Sequence, residues 1–164
     1  MSDRGFPQKE ANLETDYKFG EVGEFTVIPF LEKYYNETIT RHSRYAKTDC
    51  SNETKHFEIK TRTNSLRAFS TTLMPVHKII KTSKQIIFVF NFSDCIAVIE
   101  YDKELFKPWI AAFNRNTKIE LGRPAELYFH IPIDKLKVIY TYPPKKGDVL
   151  YDLREYKGKC LISI

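Results

Sequence analysis

A mixed α/β domain, with a central mixed β-sheet flanked by helices, is the fold class this sequence predicts. Three observations carry that expectation. Two apolar runs, KQIIFVFNF (84–92) and CIAVIEY (95–101), are separated only by the turn pair Ser93-Asp94, the pattern of a buried hairpin. Upstream, Val27, Phe30, Leu31 and Tyr34 recur at helical spacing. A 42% hydrophobic content, with 12 Phe and 10 Tyr in 164 residues, suffices for one core in one domain.

Taken in order, residues 1–18 are polar and read as a flexible arm, leaving 19–164 as a single domain. Residues 19–35 (FGEVGEFTVIPFLEKYY) predict a helix, with Pro29 a point of kinking. Glu21 and Glu24 stand three apart on one side of it. The stretch 45–62 (YAKTDCSNETKHFEIKTR) predicts a β-hairpin turning at Ser51-Asn52-Glu53-Thr54. Residues 66–81 form a connection interrupted by Pro75, a loop followed by a helical turn or strand. The run 84–101 is the central hairpin. Residues 104–114 predict a helix with Leu105, Phe106, Trp109, Ile110 and Phe113 on its apolar side and Trp109 as a core anchor. Short strands are expected at 127–133 and 138–142, a loop at 143–148, and an edge strand near the tail, 151–164.

The hairpin at 45–62 carries the chemistry. Period-2 alternation puts His56, Glu58, Lys60 and Arg62 on one face and Phe57, Ile59 and Thr61 on the other. With Cys50 opposite Lys55, Asp49 falls opposite His56 and diagonal to Glu58, on the same face. A slip of one residue would separate the two carboxylates. Hard Mg²⁺, or Mn²⁺ in its place, takes one or two carboxylates plus water and substrate phosphate. It polarises the phosphate and acidifies a bound water. A lysine on that face can orient the water or offset charge on the phosphorane oxygens. An acidic residue two before a lysine is common in this chain, as Asp16-Tyr17-Lys18, Glu53-Thr54-Lys55 and Glu155-Tyr156-Lys157 show. The bland alternative is therefore a solvated strand with a cross-strand charge pair.

Net charge is +5, which suits a polyanionic partner without identifying one. The three cysteines (Cys50, Cys95, Cys160) are scattered and odd in number, against a disulfide framework or zinc site. The N-terminal residues lack an apolar signal-peptide core, and no apolar run reaches membrane-spanning length. The expectation is a non-secreted, intracellular protein without membrane association.

The order helix with Glu, strand with Asp, strand with Glu58-Ile59-Lys60, then further strands, resembles the PD-(D/E)XK nuclease superfamily. The resemblance spans Phe19 to about Tyr101 and lies in motif spacing more than identity; Thr48 stands where the name motif has Pro. It implies a restriction-endonuclease-like fold and a Mg²⁺-dependent endonuclease acting on DNA. Asp49 and Glu58 would bind the metal with the Ile59 carbonyl, Lys60 would assist the water, and Glu24 would join from the helix. The run FEIKTRTNSLRAFSTTLMPVHKI (57–79) is similar to small nucleases of phages and large DNA viruses. That implies Lys78, and more weakly His77, near the substrate phosphate, and a cytoplasmic or host-nuclear setting. Arg62 and Arg67 complete the expected phosphate-gripping set. A homodimer would suit the cutting of two strands. The rival expectation is a non-catalytic nucleic-acid- or protein-binding module on the same fold.

Overall fold

A computed structural model describes residues 6–43, 45–113 and 126–144 of the chain. The first helix, α1 (Phe6–Tyr35), starts well before Phe19, so residues 6–18 of the expected arm are helical backbone. It passes Pro29 without interruption, although proline lacks the amide that a helix bonds four residues back. Val27 and Leu31 are fully buried, and Phe30 stacks on Tyr140 at 4.1 Å between centroids. The helix stops where Asn36 takes a left-handed conformation (φ 53°) and the Glu37 amide bonds back to the Glu32 carbonyl at 3.2 Å.

Short strands β1 (Thr40–Arg41) and β2 (Cys50–Ser51) lead to β3 (Lys55–Thr61). The expected register is off by two residues: Cys50 faces Phe57 and Ser51 faces His56. Turn chemistry explains the difference. The Asn52 side-chain oxygen accepts from the amides of Thr54 and Lys55, at 3.0 and 2.8 Å, which draws Lys55 into the turn. Glu37 holds that turn to the end of α1, accepting from Asn52, Thr54 and Lys55. A two-residue slip preserves the faces, so Asp49 and Glu58 stay on the same side.

Next come β4 (Thr71–Pro75), β5 (Gln85–Asn91) and β6 (Cys95–Glu100). The central hairpin is as expected, with β5 and β6 antiparallel and nearly every residue buried. The helix expected over 104–114 is not formed. Asp102 caps a single turn, α2 (Lys103–Phe106), followed by a 3₁₀ turn at Lys107–Trp109 and strand β7 (Ile110–Phe113). Pro108 removes an amide a helix needs, and β7 instead pairs with β8 (Glu126–Pro132). Trp109 packs on Phe106 at 4.9 Å, partly buried at the core margin. The last described strand is β9 (Lys137–Thr141). Asn114, residues 145–148 of the expected loop, the tail strand at 151–164 and Cys160 lie outside the described residues.

The central sheet has order β1-β2-β3-β5-β6-β9 and is mixed, with β3 and β5 parallel and its other pairs antiparallel. On one face α1 covers Phe57, Ile59, Ile87, Val89, Ile96 and Val98. The expectation of helices flanking the sheet needs correction on the other face. There Phe88, Phe90, Ala97 and Ile99 pack mainly on a second, three-stranded sheet of order β4-β8-β7, with only the one-turn α2 beside it. The connection at 66–81 supplies β4 of that sheet, and its alternation buries Thr72 and Met74 while Leu73 turns outward.

One close approach seats α1 on the central sheet. A Cβ added to Gly23 would lie 1.8 Å from Thr61 Oγ1 and 2.8 Å from Thr61 Cβ, whereas one added to Gly20 meets nothing within 4 Å. Gly20→Ala is expected to stabilise the protein by about 0.5–1 kcal/mol through helix propensity. Gly23→Ala gains the same term, but overpacking against β3 costs about 1–3 kcal/mol, so the net change is destabilising. Urea denaturation of the two variants measures the contrast.

Candidate functional site

The site forms where the β2–β3 ladder stops. Because β2 begins at Cys50, Asp49 lies one residue before it, and the next amide along β3, that of Ile59, is taken by a side chain. Asp49 Oδ2 accepts from it at 2.7 Å. The Asp49 backbone carbonyl meanwhile accepts from His42 at 2.8 Å. The carboxylate thus sits close to the plane of the sheet. Extending the register by one residue brings Asp49 opposite Glu58. In an extended strand a residue's amide and carbonyl leave on the same side, so the Ile59 carbonyl shares the side of its amide and of Asp49.

Glu58 points to the face covered by the second sheet and is 3% exposed. Its Oε1 meets Lys78 Nζ at 3.0 Å and Lys60 Nζ at 3.7 Å. Its Oε2 is buried with no hydrogen-bond partner. Burial and then the Asp49 charge push the Glu58 carboxyl above the usual range, while Lys78 and Lys60 pull the other way. Lys60 is held below the usual lysine range, first by burial; Lys78 adds to the shift and Glu58 opposes it. From the opposite face, Glu24 on α1 reaches the Asp49 side of the cluster. Burial and the Asp49 charge raise its pKa against the pull of Arg41.

Asp49, Glu58, Ile59, Lys60 and Lys78 are therefore gathered, with Glu24 at the margin. Glu24 is already engaged, since Arg41 Nε donates to its Oε2 at 2.9 Å. The same guanidinium reaches Glu21 at 3.4 Å and lies 4.5 Å over the Phe25 ring. Arg41 was invisible in the sequence, because a two-residue strand carries no readable periodicity. Arg62 turns to the second sheet, where its guanidinium donates to the Leu73 carbonyl. Arg67 faces Asp134 at 3.8 Å, both well exposed, rather than a site carboxylate. His77 is exposed on the 3₁₀ turn Val76–Lys78 that delivers Lys78. Buried Cys50 lies against the acidic cluster, and its thiol is pushed up to about 12, which keeps it unreactive.

Among the described residues, no three His, Cys, Asp or Glu side chains stand together as a metal-ligand group. The oxygen donors that could hold a hard cation are the Asp49 and Glu58 carboxylates and the Ile59 carbonyl, with waters filling the remaining positions. The orphaned Glu58 Oε2 fits that role. Among the described residues no helix is long and apolar enough to cross a membrane. Comparison with protein-family models, with curated proteins and with solved structures finds no match for this chain.

Asp49 has a structural duty that separates two substitutions. Asp49→Ala orphans the Ile59 amide and is expected to cost about 1–3 kcal/mol. Asp49→Asn keeps an acceptor and stays near wild type. Thermal melting, with hydrogen exchange at the Ile59 amide, distinguishes them. In chelated protein, Lys78→Met removes a cation that lowers the Glu58 pKa. The Glu58 carboxyl signal in carbon NMR is then expected to titrate at higher pH than in wild type.

Proposed function

We propose that this protein is a divalent-metal-dependent endonuclease hydrolysing DNA phosphodiester bonds on a PD-(D/E)XK, restriction-endonuclease-like plan. The observation that carries this proposal is the buried, half-satisfied Glu58. One of its oxygens has no partner, Lys60 and Lys78 hold the other, and the Asp49 charge lies near enough to raise its pKa. A buried polar atom without a partner calls for an explanation, and an oxygen-seeking cation supplies one. Asp49, Glu58 and the Ile59 carbonyl would hold Mg²⁺ or Mn²⁺, which when bound activates water and polarises phosphate.

The chain's own residues do the rest. Lys60 and Lys78 oppose the protonation that burial and Asp49 favour at Glu58, and their donors would serve the charge that grows on phosphate oxygens. Partial burial makes Lys60 readier than a free lysine to give up its proton and accept a hydrogen bond from water. Arg62 lines the same face, next to the second sheet. Glu24 joins from α1 as an outer carboxylate, tethered by Arg41.

A second reading has its own support. Lys78 and Lys60 already neutralise Glu58, and Arg41 neutralises Glu24. Those pairings would also suit a non-catalytic module that binds nucleic acid or protein on its basic face. Cleavage assays separate the two. Of plasmid, branched and single-stranded DNA, the branched and single-stranded substrates are expected to be cut in Mg²⁺, and all three to be left intact in chelator. Asp49→Asn, Glu58→Gln and Lys60→Ala are each expected to lower the rate by about 10²-fold or more while the protein stays folded. A fully active Lys60→Ala protein would sink the mechanism, and binding without cutting would favour the module.

A further inference from the structure

A groove of about 430 Å³ opens beside Lys60 and Arg62 and runs over the outer face of the second sheet. Its volume lies within the range of small-ligand sites, about 300–1,000 Å³. Strand alternation explains its lining. Met74, Phe129 and Ile131 point into the core, so Leu73, Tyr128 and His130 turn to the other face, where Leu73 and His130 are half-buried and Tyr128 is buried. Phe113 stands edge-on to Tyr128 at 5.7 Å and to His130 at 6.4 Å. Phe69 forms another wall and is 65% exposed, an unusual position for a bare phenyl ring. His130 Nε2 is enclosed without a hydrogen-bond partner.

We infer that this groove takes an unpaired nucleobase, so that the polynucleotide class this protein engages is single-stranded or branched DNA rather than fully paired duplex. A track for phosphates alone would need cations but no aromatic walls. A purely apolar ligand would make no use of the positive charge that Lys60 and Arg62 bring to the lining. A nucleotide uses both, because its base stacks on rings while its phosphate meets the cations. In a paired duplex the base is held in the stack and cannot enter such a pocket unless extruded. Lys60 belongs both to the groove and to the carboxylate cluster, so the base is that of a nucleotide adjoining the phosphate at Glu58. The choice of DNA and this last assignment rest on the nuclease proposal.

The test is binding in chelator, where no cleavage intervenes, using oligonucleotides with 2-aminopurine in a single strand, an unpaired flap or a fully paired duplex. Saturable fluorescence quenching is expected for the first two and none for the third. Phe69→Ala, which removes an exposed ring without opening the core, is expected to weaken single-strand binding roughly 5- to 150-fold, the range for loss of one stacked base. Phe113→Leu, which keeps apolar volume, is expected to act in the same direction. Equal affinity for duplex and single strand, or wild-type affinity in both variants, would overturn the base site. The two proposals fail separately. Quenching by a protein that cuts nothing in Mg²⁺ would keep the base site and reject the nuclease. Metal-dependent cutting of duplex without quenching would do the reverse.

Discussion

The hydrogen bond from the Ile59 amide to the Asp49 carboxylate is the constraint on which the rest of the site depends. In an ordinary antiparallel ladder that amide would be taken by a backbone carbonyl of the neighbouring strand. Here the neighbour contributes only Cys50 and Ser51, so a side chain does the work. A carboxylate on a strand face would point away from the sheet, whereas one serving a ladder amide is held near the sheet plane. From there it reaches Glu24, which comes from the helix side, and Glu58, which comes from the other. One short strand thus lets acidic groups from both faces share a single gap.

Gathering them has an electrostatic consequence. Glu24 and Glu58 each feel burial and the Asp49 charge, and both are pushed toward protonation. The protein opposes this with cations in different places: Arg41 from an edge strand for Glu24, and Lys60 and Lys78 for Glu58. Both lysines approach the same Glu58 oxygen and leave the other bare. A residue selected only for stability would have both oxygens satisfied or would be apolar, because a half-paired buried carboxylate is costly. Among the described residues Thr61 Oγ1 and His130 Nε2 are also buried without a partner, but Glu58 is the one carboxylate so placed.

How much of this was legible in the sequence varied with the length scale of the signal. The β5–β6 hairpin was read correctly because each strand is an unbroken apolar run with a turn pair between them. The nearness of Asp49 to Glu58 was also legible, since period 2 survives the two-residue error in register, but the bond that holds Asp49 near the sheet plane rather than on the face of Glu58 was not. The error itself came from the Asn52 side chain, which reshapes the turn in a way composition does not reveal. Residues 104–113 misled because Phe106, Trp109, Ile110 and Phe113 fit a helical stripe, yet Pro108 and pairing with β8 decide for a strand. The second sheet was missed for a related reason: its strands pair across long separations, and no local pattern marks Thr71–Pro75 as the partner of Tyr128–Pro132. Arg41 left no trace either, because its importance lies wholly in what it touches.

The second sheet also explains why a flanking helix would not serve equally well on that face. A helix over β3 and β5 would offer side chains at a spacing of 3.6, with its backbone bonds internal. A three-stranded sheet instead presents an edge, and the Arg62 guanidinium bonds to the Leu73 carbonyl of edge strand β4. That contact fastens the end of β3, two residues past Lys60, to the rim of the aromatic groove. The turn after β4 then carries Lys78 back to Glu58. Between Leu73 and Lys78 the chain therefore touches the groove at one end and the carboxylate cluster at the other. The two surfaces share a backbone segment of six residues, so their relative position is set by covalent geometry and one ion–dipole contact rather than by loop conformation.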